Sequence, residues 1–179
     1  VYVVWTGSTT AGNSDIFTSR STDGGLTFSE PENISETTVA SFQPQISLEG
    51  NNVYVVWTDR DITIGISDIF FARSTDGGLT FSEPENISED TGAEFGPQIS
   101  SDGNNVYVVW TNVITGNSDI FFATSTDGGL TFSEPENISQ TPGFSGPPQI
   151  SSEGNNVYVV WTGSTPAGIS DIFFATSTD

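Results

Sequence analysis

Acidic side chains are the most abundant groups in this sequence that could do chemistry. The 179 residues contain 23 Asp and Glu, no Lys, and only three cationic side chains, Arg20, Arg60 and Arg73, for a formal net charge of −20. His and Cys are absent, which excludes imidazole chemistry, thiol chemistry and disulfides. The charge argues against nucleic acid or anionic lipid as partners. The candidate chemistry is therefore that of carboxylates, as acids or bases, cation ligands or hydrogen-bond acceptors in turns.

Three of the carboxylates recur inside one motif. The string STDGGLTFSEPENIS begins at Ser21, Ser74 and Ser125 without a single difference. A short carboxylate just before two glycines can accept backbone N–H bonds and lock a turn, while the glycines allow positive φ. The Phe of the motif is expected to fold back as an apolar plug against its sheet. We predict a structural turn at the motif residues, which are Ser21, Asp23, Gly25, Phe28, Ser74, Asp76, Gly78, Phe81, Ser125, Asp127, Gly129 and Phe132.

Two further polar patterns recur once per repeat. The end of the string is an N-x-Ser sequon at Asn33, Asn86 and Asn137, which in a secreted protein could carry glycans. The alternative is that each Asn caps the end of a strand. A Ser-Asp pair places Asp15, Asp68, Asp119 and Asp171 at corresponding positions, where carboxylates could serve as weak Ca²⁺ ligands. Without EF-hand spacing or an acidic cluster, no metal or other cofactor is firmly predicted.

A period of about fifty residues organises these motifs. The string VYVVWT begins at Val1, Val53, Val106 and Val157, so the spacings are 52, 53 and 51 residues. Each period holds four strand-like runs separated by Gly, Asn and Asp turns, and no window has a helical period. In the second full repeat these runs are 97–100, 106–111, 119–125 and 130–138.

The repeats predict an all-β chain, a β-propeller of four-stranded antiparallel blades with about three and a half blades in one segment, residues 1–179. A β-solenoid or a sandwich is the alternative fold. VYVVWT is apolar on both faces, as a strand between neighbouring blades would be. The Trp and Tyr of this string occur once per repeat, which indicates packing between blades.

The repeated motif carries a family resemblance. Ser21 to Phe28 matches the Asp-box pattern Ser/Thr-x-Asp-x-Gly-x-Thr-Trp/Phe, as do its two copies. The chain thus resembles the sialidase-like Asp-box (BNR) repeat propellers of the multi-repeat secreted type. The resemblance implies a structural role for the Asp-box turn, away from any active site. It also implies an extracellular or cell-surface location, with the signal peptide outside this segment.

The resemblance raises the question of sialidase activity. Sialidases of the family clamp the substrate carboxylate with three arginines and use a Tyr nucleophile. Here Arg20 and Arg73 share one blade position, Arg60 lies alone in a variable loop, and all four Tyr occupy one strand position. Because a catalytic site needs residues that occur once and converge, the sequence predicts that the chain is not an enzyme.

Copies of the repeat differ mainly in two loops. On a propeller both fall on the same face, as expected of a binding surface on a rigid scaffold. The favoured function is a non-enzymatic binding, adhesive or self-assembly module. The alternatives are a sialidase-like module that binds glycans without hydrolysis, or an engineered consensus repeat with no natural ligand. The loops are residues 7–14, 59–67, 112–118 and 163–170, and residues 36–42, 89–95 and 140–146.

The terminal blades are incomplete in this pattern. Blade one starts at its second strand and blade four stops at its third. Exposed strand edges pair readily with other chains. We therefore expect either self-association through the terminal blades or continuation in a longer chain, with a possible glycan or protein ligand on the variable-loop face.

Overall fold

The computed structural model describes residues 1–10, 12–88, 92–114, 116–140, 143–165 and 167–177, and every regular element in them is a strand. No helix that could cross a membrane occurs in these residues. The fourteen strands are β1 (Tyr2–Ser8), β2 (Ser14–Arg20), β3 (Glu32–Asn33), β4 (Ala40–Glu49), β5 (Asn52–Asp61), β6 (Ile66–Ser74), β7 (Glu85–Asn86), β8 (Ala93–Asp102), β9 (Asn105–Ile114), β10 (Asn117–Ser125), β11 (Glu136–Asn137), β12 (Gln149–Glu153), β13 (Asn156–Ser164) and β14 (Ser170–Ser177).

The strands form four consecutive antiparallel blades, which confirms the predicted all-β architecture. Blade 1 is β1-β2-β3, blade 2 is β4 to β7, blade 3 is β8 to β11, and blade 4 is β12-β13-β14. One parallel bridge, Ser67 to Ala93, joins blade 2 to blade 3. Strand order within each blade follows the chain, so loops alternate between two ends of the molecule.

The second strand of each inner blade is buried on both faces, because neighbouring blades cover it. In β5, Val55 and Trp57 belong to a core cluster with Ile16 of blade 1. Side chains alternate along a strand, so the intervening Val56 packs instead with residues of blade 3 such as Val108. The apolar string VYVVWT is thus the element that binds each blade to both neighbours.

The fourth strand is much shorter than the sequence indicated. Residues 130–138 were expected to be extended, yet only Glu136–Asn137 pair as β11, opposite Phe122 and Phe121. The reason is local. The preceding residues bend around the Asp127 carboxylate, and Pro135 has no N–H to offer to a ladder.

Candidate functional site on the variable-loop face

The turns that match the Asp-box pattern lie in blades 1, 2 and 3, at the end opposite the variable loops. In blade 1 the Asp23 carboxylate accepts hydrogen bonds from the Thr27 hydroxyl (2.6 Å), the Thr27 backbone N–H (3.0 Å) and the Ser21 hydroxyl (2.7 Å). These bonds hold the pKa of Asp23 well below its ordinary value. Asp76 and Asp127 repeat the arrangement. The contacts support the predicted turn-locking role, and these exposed carboxylates are engaged within their own turns.

Replacing Asp76 by Ala should lower the melting temperature at neutral pH. The Ser74 and Thr80 hydrogen bonds depress the pKa of Asp76 in the folded state below the ordinary 3.8. A depressed carboxyl pKa contributes stability that is fully present above pH ~4 and is lost as the pH falls further. The difference between wild type and variant should therefore shrink in acid, as followed by thermal unfolding from pH 7 to pH 2.

Glu83→Gln supplies the control, because Glu83 is an exposed acid of the same blade. It should leave the melting temperature nearly unchanged. Equal effects of the two substitutions would show that the Asp-box carboxylate acts only through net charge.

Two of the three arginines brace blade junctions. The guanidinium of Arg73 donates to the carbonyl of Gly128 in the Asp box of the next blade (3.1 Å), and Arg20 approaches Gly77 in the same way (3.4 Å). Arg60 differs, since it is exposed on the opposite end of blade 2. Arg60 is therefore the arginine exposed at the variable-loop end.

In blades 1, 2 and 3 the sequon residues lie at the end of the last strand, β3, β7 and β11. The side-chain oxygen of Asn137 accepts the N–H of Ser139 (3.1 Å), and the Ser139 hydroxyl accepts the N–H of Ile120 (3.0 Å). In blade 1 the Asn33 amide also donates to Asp15 (2.7 Å). These contacts favour the capping interpretation for these Asn, and glycosylation stays a prediction.

The Ser-Asp positions show no assembled cation site. Asp15 accepts from Asn33, and Asp119 accepts from the Ser139 hydroxyl (2.9 Å). Across the described ranges, no three acidic side chains converge into a group that could hold a metal ion. Asp68 lies within electrostatic range of Asp59, and Asp171 is exposed on β14. Calcium binding at these positions stays a prediction.

At the variable-loop end, one cross-strand pair of residues in blades 2 and 3 contains a buried acid that the other copies lack. The residue two places after the repeated Trp is Gly7, Asp59, Asn112 or Gly163 in the four blades. Across the ladder from it, Ser41 pairs with Asp59, and Glu94 pairs with Asn112. Asp59 is 4% exposed and Glu94 is fully buried. Each of these acids is a single occurrence among the copies.

The Asp59 carboxyl sits in an unusual environment. One oxygen accepts hydrogen bonds from the Ser41 hydroxyl (2.5 Å) and the Trp57 indole N–H (2.8 Å). The other oxygen is buried and has no hydrogen-bond partner among the residues that the structure describes. Burial, together with the nearby Asp15 and Asp68 charges, raises the pKa of Asp59 to about 6 in spite of those two hydrogen bonds, which lower it. This carboxyl can hold a proton close to neutral pH.

Glu94 lies at the junction of blades 2 and 3. Its cross-strand partner Asn112 is on the face of β9 that carries Val108 and Trp110, which pack against blade 2. The Ser88 hydroxyl, at the end of blade 2, lies 3.5 Å from the Glu94 carboxylate. Glu94 is thus a fully buried acid at the junction of blades 2 and 3.

An open cleft of about 500 Å³ occupies this junction. Its walls combine two aromatic rings with polar groups and one guanidinium, the mixture typical of small-molecule sites. Thr58 and Arg60 flank Asp59, and Ala93 and Phe95 flank Glu94 in sequence. The lining residues are Phe42, Gln43, Thr58, Arg60, Gly65, Ser67, Ala93 and Phe95.

The backbone at Gln43, a residue that lines the cleft, is strained. It has a φ of 55°, in the left-handed region that favours glycine, and blade 3 has Gly96 at the same position. The β4–β5 ladder shifts register here, between Phe42 and Gln45. The Gln43 side chain accepts the N–H of Gly96 (3.0 Å), so it bridges the two blades. Strained backbone and bulges concentrate at functional sites.

The repeat pattern contains a signal for the two buried acids. Asp59 and Glu94 fall inside the two variable loops, and comparison of the repeats singles them out. They were interpreted as parts of surface loops because the pattern does not show which variable positions become buried. The structure buries both, Asp59 on the face of β5 that carries Trp57 and Glu94 at the junction of blades 2 and 3.

Comparison with known proteins relates the fold to carbohydrate-degrading enzymes. No protein-family model and no curated protein matches the chain significantly. Among solved structures, the GH93 α-L-arabinofuranosidase of Fusarium graminearum, solved with arabinobiose, is similar at a TM-score of 0.61 and 14% identity. The match covers 98% of this chain and 62% of the enzyme, so this chain spans less than two thirds of that protein.

Two further neighbours have related activities. The GH43 endo-arabinanase of Bacillus licheniformis matches at a TM-score of 0.56 and 17% identity, over 99% of this chain and 68% of the enzyme. A variant of the NanB sialidase of Streptococcus pneumoniae matches at a TM-score of 0.57 and 13% identity, over 93% of this chain and 28% of that one. At these identities the likeness establishes the fold.

These neighbours correct the functional expectation. The sequence predicted a non-enzymatic binding, adhesive or assembly module because the sialidase arginine clamp and a single Tyr nucleophile are absent. That prediction is contradicted, since the similar structures are mostly active glycoside hydrolases. Paired carboxylates can hydrolyse glycosides without an arginine clamp, and the repeat pattern does not make any pair of carboxylates stand out. The chain is an all-β propeller segment whose structural neighbours are glycoside hydrolases and a sialidase.

Proposed function

We propose that this chain belongs to a carbohydrate-degrading β-propeller enzyme that hydrolyses glycosidic bonds at the variable-loop end of blades 2 and 3, where the cleft opens. One observation carries the proposal: residues that line the cleft flank Asp59 and Glu94 in sequence, and these two buried acids are not copied by the repeat. Hydrolysis of glycosides needs one carboxyl that donates a proton and one carboxylate that acts as base or nucleophile.

The surroundings of Asp59 and Glu94 suggest which catalytic role each carboxyl takes. Asp59 is the proposed general acid, because burial raises its pKa to about 6 and lets it keep a proton in weakly acidic solution. Its carboxyl lies on the face of β5 that carries Trp57, toward blade 1. Glu94 is the second carboxylate. Arg60 and Gln43 hold sugar hydroxyls through hydrogen bonds, and the rings of Phe42 and Phe95 pack against the apolar faces of the sugar.

The substrate class follows from the cleft and the charge. A net charge of −20 disfavours anionic ligands, so we expect neutral sugars such as arabinofuranosides rather than sialosides. The proposal includes the Asp-box assignment of the repeated turns and a location outside the cell. The four hydrogen bonds to Asp23 from the Ser21 and Thr27 hydroxyls and the Leu26 and Thr27 backbone support the Asp-box assignment.

The test is a hydrolysis panel of aryl α-L-arabinofuranosides, linear arabinan and an aryl sialoside, with products quantified by chromatography. We expect turnover of a neutral arabinoside. Binding without product, or no binding at all, would overturn the proposed activity.

Arg60→Gln should raise KM about tenfold and leave kcat within about threefold. Loss of a hydrogen bond from a charged group to bound substrate costs ~1.5–3 kcal/mol of binding. Arg20→Gln is the matched control, because it removes the same charge far from the cleft and should leave KM unchanged. Equal KM changes in the two variants would place the sugar elsewhere.

A further inference from the structure

Two polar side chains that line the cleft occur once among the repeats. Gln43 comes directly before the Pro-Gln-Ile-Ser string of blade 2, and Arg60 follows the repeated Trp by three places. The counterparts of Gln43 in the other blades are Gly96 and Pro147, and those of Arg60 are Ser8, Val113 and Ser164. Long polar side chains at these positions are therefore specific to the cleft between blades 2 and 3.

The backbone of Gln43 has a conformation that favours glycine. Its φ is 55°, and Gly96 has a similar φ of 64° at the corresponding place in blade 3. A residue with a Cβ is strained at such a φ, whereas glycine adopts it freely. The Gln43 side chain is exposed and adds little to the core. Because a glycine would form the same turn, the fold itself does not explain a glutamine at this position.

The contact with blade 3 determines which end of the Gln43 amide is free. The side-chain oxygen accepts a hydrogen bond from the backbone N–H of Gly96 (3.0 Å). Only the oxygen of the amide can accept this bond, so the contact also fixes the position of the NH2 group. Within the described part of the chain that NH2 group has no hydrogen-bond partner. An oriented donor thus lies among the residues that line the cleft.

We infer that Gln43 is a specificity-determining residue of the cleft and that its NH2 group donates a hydrogen bond to an acceptor oxygen of the bound sugar. The inference rests on the proposed function, because it takes a neutral sugar as the ligand. The guanidinium of Arg60 likewise contains donors and no acceptor. The side of the sugar that faces these two residues must therefore present oxygen atoms that accept hydrogen bonds.

Gln43→Glu tests the donor directly. Glutamate has the same length and keeps an oxygen that can accept the N–H of Gly96, but it has no side-chain N–H to donate. Methyl α-L-arabinofuranoside is titrated into the 179-residue protein, and binding is followed by side-chain and backbone amide chemical shifts. In the wild type the NH2 signal of Gln43, assigned by its absence from the variant, should shift saturably. The variant should bind the sugar about tenfold more weakly, because one hydrogen bond is lost.

Gln43→Gly separates the role of the side chain from that of the backbone. Glycine fits the left-handed conformation, as Gly96 does in blade 3, so the melting temperature should stay within a few degrees of the wild type. Affinity for the same sugar should again fall about tenfold. A loss of affinity in a variant that remains folded would assign the effect to the amide group.

Gln140 provides matched controls for both substitutions. It is an exposed glutamine with a φ of 44°, and its side-chain NH2 group donates to the carbonyl of Asn137 in its own blade (3.4 Å). Gln140→Glu adds the same charge as Gln43→Glu, and Gln140→Gly relieves the same kind of backbone strain. Both control variants should bind methyl α-L-arabinofuranoside as the wild type does.

The possible outcomes separate this inference from the proposed hydrolysis. Wild-type affinity in both Gln43 variants would overturn the inference, and turnover of an arabinoside by the same proteins would leave the proposed activity standing. Equal weakening by Gln43→Glu and Gln140→Glu would assign the effect to charge and would also overturn the inference. Saturable binding that depends on Gln43, without product, would support the inference and overturn the activity. Absence of binding by the wild type would overturn both.

Discussion

Replacing Asp59 by Asn should remove glycoside hydrolysis and at the same time stabilise the protein at neutral pH. Loss of a general acid lowers kcat by a factor of about 10²–10⁴. Folding should survive the change, because Asn112 occupies the same position of blade 3, two residues after Trp110. The substitution keeps an oxygen that can accept the Ser41 and Trp57 hydrogen bonds.

The stability change has a defined dependence on pH. Asp59 has a pKa of about 6 in the folded protein against 3.8 ordinarily. Below pH ~4 the carboxyl is protonated in both states and contributes nothing to the pH dependence. Between pH ~4 and pH ~6, Asp59 is ionised in the unfolded chain but still protonated in the folded protein. The free energy of unfolding therefore falls as the pH rises through this range. The full penalty, reached above the folded pKa, is about 3 kcal/mol, since one pKa unit corresponds to 1.36 kcal/mol.

Urea unfolding at pH 4 and pH 7.5 measures this effect. The free energy of unfolding of Asp59→Asn minus that of wild type should increase by roughly 2–3 kcal/mol between the two pH values. Comparing both proteins at each pH cancels the general effect of the acidic surface. A pH-independent difference would show that folding does not raise the pKa of Asp59, and retained kcat would remove Asp59 from the mechanism.

Substituting Ala for Gly129 should destabilise the protein far more than the same change at Gly25, although the two lie in identical fifteen-residue strings. Both have positive φ, 75° and 93°, so both variants incur the left-handed strain of ~1 kcal/mol. A Cβ on Gly129 would lie 2.6 Å from the ring of Phe71, whereas at Gly25 the nearest atom, on Val1, is 4.0 Å away.

Phe71 has little freedom to move, because it is buried between Tyr54 and Phe132. Overpacking of a filled core costs about 1–3 kcal/mol, so Gly129→Ala should lose roughly 2–4 kcal/mol in total. Gly78→Ala is an intermediate case, with Tyr2 at 3.0 Å. Urea unfolding of the three variants should rank the losses as Gly25, Gly78, Gly129. Equal losses would mean that only the local turn conformation matters.

The sequence alone determined the blade and its turns, because these depend on residues close together in the chain. The strand VYVVWT has apolar residues on both faces, so both faces must pack against other residues. The neighbouring copies of the fifty-residue repeat provide those residues. The Asp-box residues likewise interact within four residues of the carboxylate, as Asp127 does with Thr131. Each relation can be read from composition and spacing.

Only the tertiary structure decided which acids are buried and where a ligand could bind. The environment of Asp59 depends on Ser41, eighteen residues away, and Arg73 reaches Gly128 across 55 residues. The Phe of the Asp box shows the same limit, since Phe28 is 46% exposed and the identical Phe132 packs on Phe71. Equal sequences acquire unequal roles because burial is set by the neighbouring blade, and the repeat pattern does not specify that contact.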